Sequence, residues 1–276
     1  VLGPGALAPL DGLVAASLVA ADDTGRARRF GLLETVRRYA WRRLEASGGL
    51  PGARECHLEH CLAVAEAAEP LLDTDKDEWR AVVEPHLDDI RAALEWGLAQ
   101  ADPGRGRRLA AATACVWNLR GRGREGVDVI RRAIACAPAE RSPVQARLLW
   151  GFALIGDTAA PDELDPVRAG ADLADELGDE RLCGRFRTLL AVGEFYRDFD
   201  AAWRRCDTAR EAAGRAGDDF GEDAATALQG LILHLRDRHE EASDLLRAPL
   251  DRMIRRGDRG IASTLLAHES AAAWST

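Results

Sequence analysis

Arg197-Asp198-Phe199-Asp200-Ala201-Ala202 and Arg236-Asp237-Arg238-His239-Glu240-Glu241-Ala242 are two versions of one phrase, and a Gly-Asp step follows each. The steps are Ala216-Gly217-Asp218 and Arg256-Gly257-Asp258, and Leu177-Gly178-Asp179 precedes the first phrase. The three glycines lie 39 and 40 residues apart. Gly ends helices because it adopts the left-handed conformation without a Cβ penalty. A two-helix unit of this period, closed by Gly, is the pattern of a tetratricopeptide-like repeat. Such units bury their apolar faces only by stacking on one another, so residues 138–276 are expected to form a helical solenoid.

Working toward the N-terminus, no strand pattern appears after Arg54. Helices are predicted over 54–69, 78–100, 105–120 and 123–136, with breaks at Pro70, Asp102-Pro103-Gly104 and Pro138. Leu87, Ile90, Ala93, Leu94 and Leu98 make an apolar stripe at helical spacing, and the short connections favour antiparallel neighbours. Residues 51–137 therefore read as a helical linker bundle.

Residues 1–50 differ. Leu10, Leu13, Val14, Ser17 and Leu18 have helical spacing, and Val19-Ala20 then runs into the turn signal Asp22-Asp23-Thr24-Gly25. Arg28-Arg29-Phe30-Gly31-Leu32 is expected to return as a second short strand. A helix carrying Leu33, Val36, Ala40 and Leu44 on one face follows, ending at Ser47-Gly48-Gly49 and Pro51. Helix, hairpin, helix is the outline of a winged helix. The fold class expected is mainly α: a small N-terminal winged helix followed by an α-helical solenoid.

Composition limits function. The 276 residues are 47% hydrophobic, 30% charged and 5% aromatic, a globular balance rich in helix formers, with a net charge of -9. An acidic chain is poorly suited to polyphosphate. Arg26, Arg28 and Arg29 with Arg37, Arg38, Arg42 and Arg43 are the candidates for a local basic patch. Six scattered cysteines without CxxC spacing, and an apolar start without a basic region, predict a cytoplasmic chain with reduced thiols and no membrane span. The missing initial Met and the helix-like C-terminal end suggest a segment of a longer protein.

Arg29-Phe30-Gly31-Leu32-Leu33-Glu34-Thr35-Val36-Arg37-Arg38-Tyr39-Ala40, followed by Arg43-Leu44, resembles a stretch of actinobacterial STAND-class (NB-ARC-like) regulators of the LuxR or antibiotic-regulatory type. Glu59-His60, the run Ala63 to Pro70, Trp79, the run Asp88 to Trp96, Trp117, Gly121, Glu125-Gly126 and Arg132-Ala133 continue the resemblance in order, over about residues 10–137. It implies a parent protein with a P-loop ATPase upstream, helical repeats downstream and often a terminal helix-turn-helix. ATP or ADP would bind the parent, and this chain itself would hold no cofactor and catalyse nothing. Its partners would be the parent's own ATPase domain and a protein or small-molecule effector on the repeat face, with DNA contacted through other segments. In related switch proteins the winged helix carries a Met-His-Asp element whose His touches nucleotide phosphate. The matching stretch here is Leu32-Leu33-Glu34, so Leu33 stands at the His position and Glu34 is implied as the nucleotide-proximal residue. Arg37, Arg38, Arg42 and Arg43 would face DNA or the neighbouring domain.

Other constellations read as structural. The only lysine, Lys76, sits in Asp75-Lys76-Asp77-Glu78 without the glycine-rich loop a Walker A site needs. Cys56/His60 and His57/Cys61 are i,i+4 pairs about 100° apart around one helix, which cannot close a tetrahedron. The serines lack a nucleophile elbow. Acidic pairs such as Asp88/Asp89, Asp218/Asp219 and Glu240/Glu241 read as solvated surface, and Trp79, Trp96, Trp117, Trp150 and Trp203 as core. Two rival readings stay open: a free-standing repeat protein that binds peptides, and a winged-helix repressor with a helical sensor domain.

Overall fold

The computed structural model describes residues 7–22, 29–121, 123–155 and 164–275. The chain is mainly helical and divides into two compact units, residues 1–60 and residues 61–276. Among the described residues no helix is long and apolar enough to cross a membrane.

In the first unit, α1 (Leu7–Ala15) leads into β1 (Val19–Asp22), which pairs antiparallel with β2 (Arg29–Leu32) in the register Val19↔Leu32 to Asp22↔Arg29. The helix α2 (Glu34–Ala46) follows. It stops where the sequence says it should. Gly48 takes φ +71°, and its N–H and that of Ser47 return to the carbonyls of Glu45 and Arg43. Pro51 then sits in the first turn of α3 (Leu50–Ala68), where its missing N–H costs nothing. The predicted turn Asp23-Thr24-Gly25, with Arg26 and Arg28, lies outside the described residues.

The second unit starts within α3. A 3-10 turn at Glu69–Asp73 leads to α4 (Lys76–Val83), capped by Asp75, whose Oδ1 accepts the Glu78 N–H at 2.9 Å. The single helix expected over 78–100 is interrupted. Pro85 forces a 3-10 turn at Glu84–His86 before α5 (Leu87–Gly97), because proline lacks an N–H and crowds the preceding turn. The expected helix over 105–120 is likewise shorter: α6 (Gly104–Ala112) gives way to a 3-10 segment at Ala114–Gly121. Then come α7 (Gly123–Ala135) and α8 (Pro143–Ile155).

From α9 (Leu164–Leu177) onward the helices come in pairs: α9 with α10 (Glu180–Phe195), α11 (Phe199–Ala216) with α12 (Asp219–Leu235), and α13 (His239–Arg256) with α14 (Arg259–Ser275). Gly178, Gly217 and Gly257 all have positive φ, at +66°, +61° and +81°. The two matching phrases occupy equivalent turns, with Asp198 capping α11 by accepting from the Asp200 and Ala201 N–H groups. Each helix packs on the next in sequence, and α8 also touches α10, α10 touches α12, and α12 touches α14. The even-numbered helices thus form one layer. Close crossings depend on small residues: a Cβ at Gly230 would lie 2.4 Å from Cγ of the fully buried Leu246.

Candidate functional site

The layer of α8, α10, α12 and α14 lines a groove with two joined chambers. One is apolar, about 280 Å³, walled by residues such as Leu189, Val192, Leu228, Leu231 and Leu265. The other is charged, about 730 Å³, and adds Glu69 and Asp73 of the 3-10 turn, Lys76 and Arg80 of α4, and Arg147 and Arg181. Trp150, Leu154, Arg185, Phe220 and Ile261 line both.

An ion-pair network fixes the charged side chains. Arg185 grips Asp218 with two hydrogen bonds of 2.7 Å and meets Asp73 at 2.8 Å, while Arg181 reaches Asp73 at 2.7 Å. Lys76 pairs with Asp258, which also accepts Arg256 Nε at 2.6 Å. Arg256 Nη1 donates to Asp223 at 3.1 Å, and Arg252 Nε donates to the same carboxylate at 2.9 Å. Arg259 binds Asp77 at 2.9 Å, 182 residues away in sequence. Three of these cations surround one ring: Lys76, Arg185 and Arg256 lie 4.5, 4.9 and 5.4 Å from the Phe220 centroid. A cation over an aromatic face is attracted by the ring quadrupole. Segment 69–80 is in this way tied to the turn between α13 and α14.

The electrostatics follow burial. Burial works to raise the Asp218 carboxyl, but the hydrogen bonds and charge of Arg185 overcome it and hold the group below the usual carboxylate range. Burial wins at Glu69, raising its carboxyl despite its bond to Arg147. Desolvation also pushes up the thiol of Cys115, which lines the charged chamber.

These findings correct two structural readings from sequence. Asp218 is buried and bound to Arg185, unlike a solvated surface pair. Trp150 packs on the core at Phe186 but is only half-buried and lines the groove, and Lys76, whose partner the sequence did not indicate, pairs with Asp258. Trp79 and Trp117 are buried as expected. The aspartates of the repeat mark have diverged: Asp179 caps α10 through the Leu182 N–H, while Asp218 and Asp258 hold groove cations. That repeated Gly-Asp step was the one sequence signal pointing at the groove.

In the first unit, Glu34 lies on the exposed surface of α2, where Arg38 and Arg37 bind it and lower its carboxyl below the usual range. Arg42 lines a shallow surface hollow with Arg37, Arg38 and Trp41, and Arg43 is exposed in the last turn. Arg54 stacks over Trp41 at 4.9 Å. The helix α2 buries no residue fully: Leu33 is 58% and Tyr39 66% exposed, and Phe30, Leu32 and Trp41 are exposed beside them. Cys56 is exposed and Cys61 buried, and among the described residues no group of three or more His, Cys, Asp or Glu is arranged to hold a metal ion.

No protein-family model matches the chain. It is similar to proteins named "Putative HTH-type transcriptional regulator" in Mycobacterium tuberculosis and Mycobacterium bovis, at 28% identity over 262 residues. The matched region covers 88% of this chain and 29% of each relative, so the chain spans under a third of their length.

Proposed function

We propose that this chain is the coupling and recognition segment of a larger transcriptional regulator. The observation that carries the recognition role is the groove: an apolar chamber joined to a charged one, built by the even-numbered helices of the repeating array. Ligand sites are concave and mostly apolar, with a few convergent polar groups. The array is read as tetratricopeptide-like, in line with its 39- and 40-residue period and positive-φ glycines. Its groove receives an effector, and the chain itself performs no catalysis. The naming of the relatives as regulators, and the small part of their length that the chain spans, support placement in a longer regulator.

The first unit is read as a winged helix that docks on a STAND-type ATPase domain of the parent and relays whether ATP or ADP is bound there. The large apolar side chains that it exposes at Phe30, Leu32, Leu33, Tyr39 and Trp41 support this, since an interface would cover them. DNA is contacted by other segments of the parent, which acts in the cytoplasm. Hydrogen exchange on the parent protein with ATP or ADP tests the reading. Residues 29–46 are expected to be more protected in the parent than in the 276-residue chain, and to a degree that depends on the nucleotide. Equal protection in all three samples would overturn the docking role.

A further inference from the structure

We propose that the groove binds a small amphipathic acid, its hydrocarbon body in the apolar chamber and its anionic head beside Lys76 and Arg185; this rests on the recognition role given above. The chamber walls supply the first half of the argument. Leu189, Leu228, Leu231 and Leu265 offer an apolar surface that a hydrocarbon fills with a gain proportional to the area removed from water.

The sign of the head group comes from an asymmetry in how the ion pairs are set. Lys76 and Arg185 line the groove, and the Lys76 side chain is 23% exposed. The side chain of Asp258, the partner of Lys76, is 1% exposed and stands off the groove wall, and so does Asp218 behind Arg185, whose second partner Asp73 lines the wall. An incoming ligand at the junction of the chambers therefore meets the Lys76 ammonium before the carboxylate that neutralises it, in a chamber wall that carries five cationic side chains against four carboxylates. Donor capacity remains as well. Asp218 and Asp73 engage Nε and Nη2 of Arg185, leaving Nη1 without a hydrogen bond among the described residues. The Lys76 ammonium has three protons, and Asp258 is its single ion-pair partner among the described residues. A carboxylate accepts from both groups with charge-assisted hydrogen bonds. The aromatic faces of Trp150 and Phe220 flank the same junction.

The test uses the full 276-residue chain and anilinonaphthalene sulfonate, an aromatic fluorophore with an anionic head, displaced by either decanoate or decylammonium. Decanoate is expected to displace the dye at a concentration at least roughly ten-fold lower than decylammonium, as charge complementarity requires. Ala224→Phe places a ring in the apolar chamber from a half-buried position and is expected to weaken dye binding at least roughly ten-fold, with the far-UV circular dichroism of the folded chain kept. Lys76→Gln is expected to remove the preference for decanoate, and Lys76→Arg to retain it. Displacement by decylammonium as readily as by decanoate would overturn the acid while leaving the groove as a recognition site. Dye binding unchanged in a folded Ala224→Phe protein would overturn both, since the dye would then sit elsewhere.

Discussion

Asp223→Ala should be among the most destabilising single substitutions in the second unit. The Asp223 side chain is fully buried and accepts from Arg252 and from Arg256, itself only 6% exposed. Without Asp223, Arg256 keeps Asp258, but Asp258 already neutralises Lys76, so two cations share one carboxylate beside Phe220. A unit pair near 4 Å is worth about 4 kcal/mol at an effective dielectric constant of about 20. Removing one partner of a buried pair costs about 3–5 kcal/mol, because the remaining charge stays desolvated. For a unit of this size each kcal/mol moves the melting temperature by about 2–4 °C, which gives a fall of roughly 6–20 °C. Thermal and urea unfolding followed by far-UV circular dichroism measure it, and an unchanged urea slope licenses reading the shift as free energy. Arg252→Ala is the control: its side chain is 40% exposed, so it should cost less than about 1 kcal/mol. The double variant Asp223→Leu/Arg256→Met should recover most of the loss, since a well-packed apolar pair replaces a buried ionic one at little cost. A loss below about 1 kcal/mol in Asp223→Ala, or equal losses in Asp223→Ala and Arg252→Ala, would refute the reasoning.

Three further outcomes are expected. Gly230→Ala gains helix propensity but drives its methyl into Leu246, so unfolding in urea should show a net loss of about 1–3 kcal/mol, and adding Leu246→Ala should make the two effects non-additive. Stability should fall at both ends of the pH scale. Asp218 is held below its ordinary value, so its contribution is present above about pH 4 and disappears as the pH drops through the lower folded value. Burial pushes the Cys183 and Cys206 thiols up to about 12, so their contribution is complete below the unfolded thiol pKa of about 8.5 and is lost as pH rises toward 12. Melting curves across pH check this. Alkylation at neutral pH read by mass spectrometry should label exposed Cys56 and Cys136 before Cys183 and Cys206, and the reverse order would contradict the burial.

Several ion pairs join the groove wall to the segment that precedes α5. Asp73 reaches Arg181 of α10, and Lys76 and Asp77 reach Asp258 and Arg259, so the segment before α5 is fastened both to α10 and to the last helical pair. Ion pairs set in a partly desolvated wall hold geometry better than surface pairs do, since water and salt screen them less. The apolar chamber is thereby bordered by fixed cations at the ends of long side chains. A change that loosens Lys76 or Asp258 acts on the groove's polar edge before it acts on the helix stack.

Much of the local structure was legible in the residues. Gly178, Gly217 and Gly257 announced left-handed caps, Pro51 and Gly48 a helix boundary, and Val19 and Phe30 a hairpin. These signals are local: backbone conformation, proline geometry and apolar period act within a few residues. Pro85 carried its own signal, but the apolar stripe around it hid the break between α4 and α5. The candidate site was mostly hidden, although the repeated Asp218 and Asp258 marked two of its anchors.

What the sequence determined by itself was a helical chain with an N-terminal hairpin and a repeating pair of helices. Only the tertiary structure decided that Lys76 meets Asp258, that Asp218 is buried under Arg185, and that Trp150 and Phe220 face a groove. The physical reason is the difference between period and placement. A period fixes which face of each helix is apolar, but the stacking of successive pairs fixes which charged side chains arrive at the same point. That depends on crossings such as Gly230 against Leu246, and these bring together residues as far apart as Asp77 and Arg259.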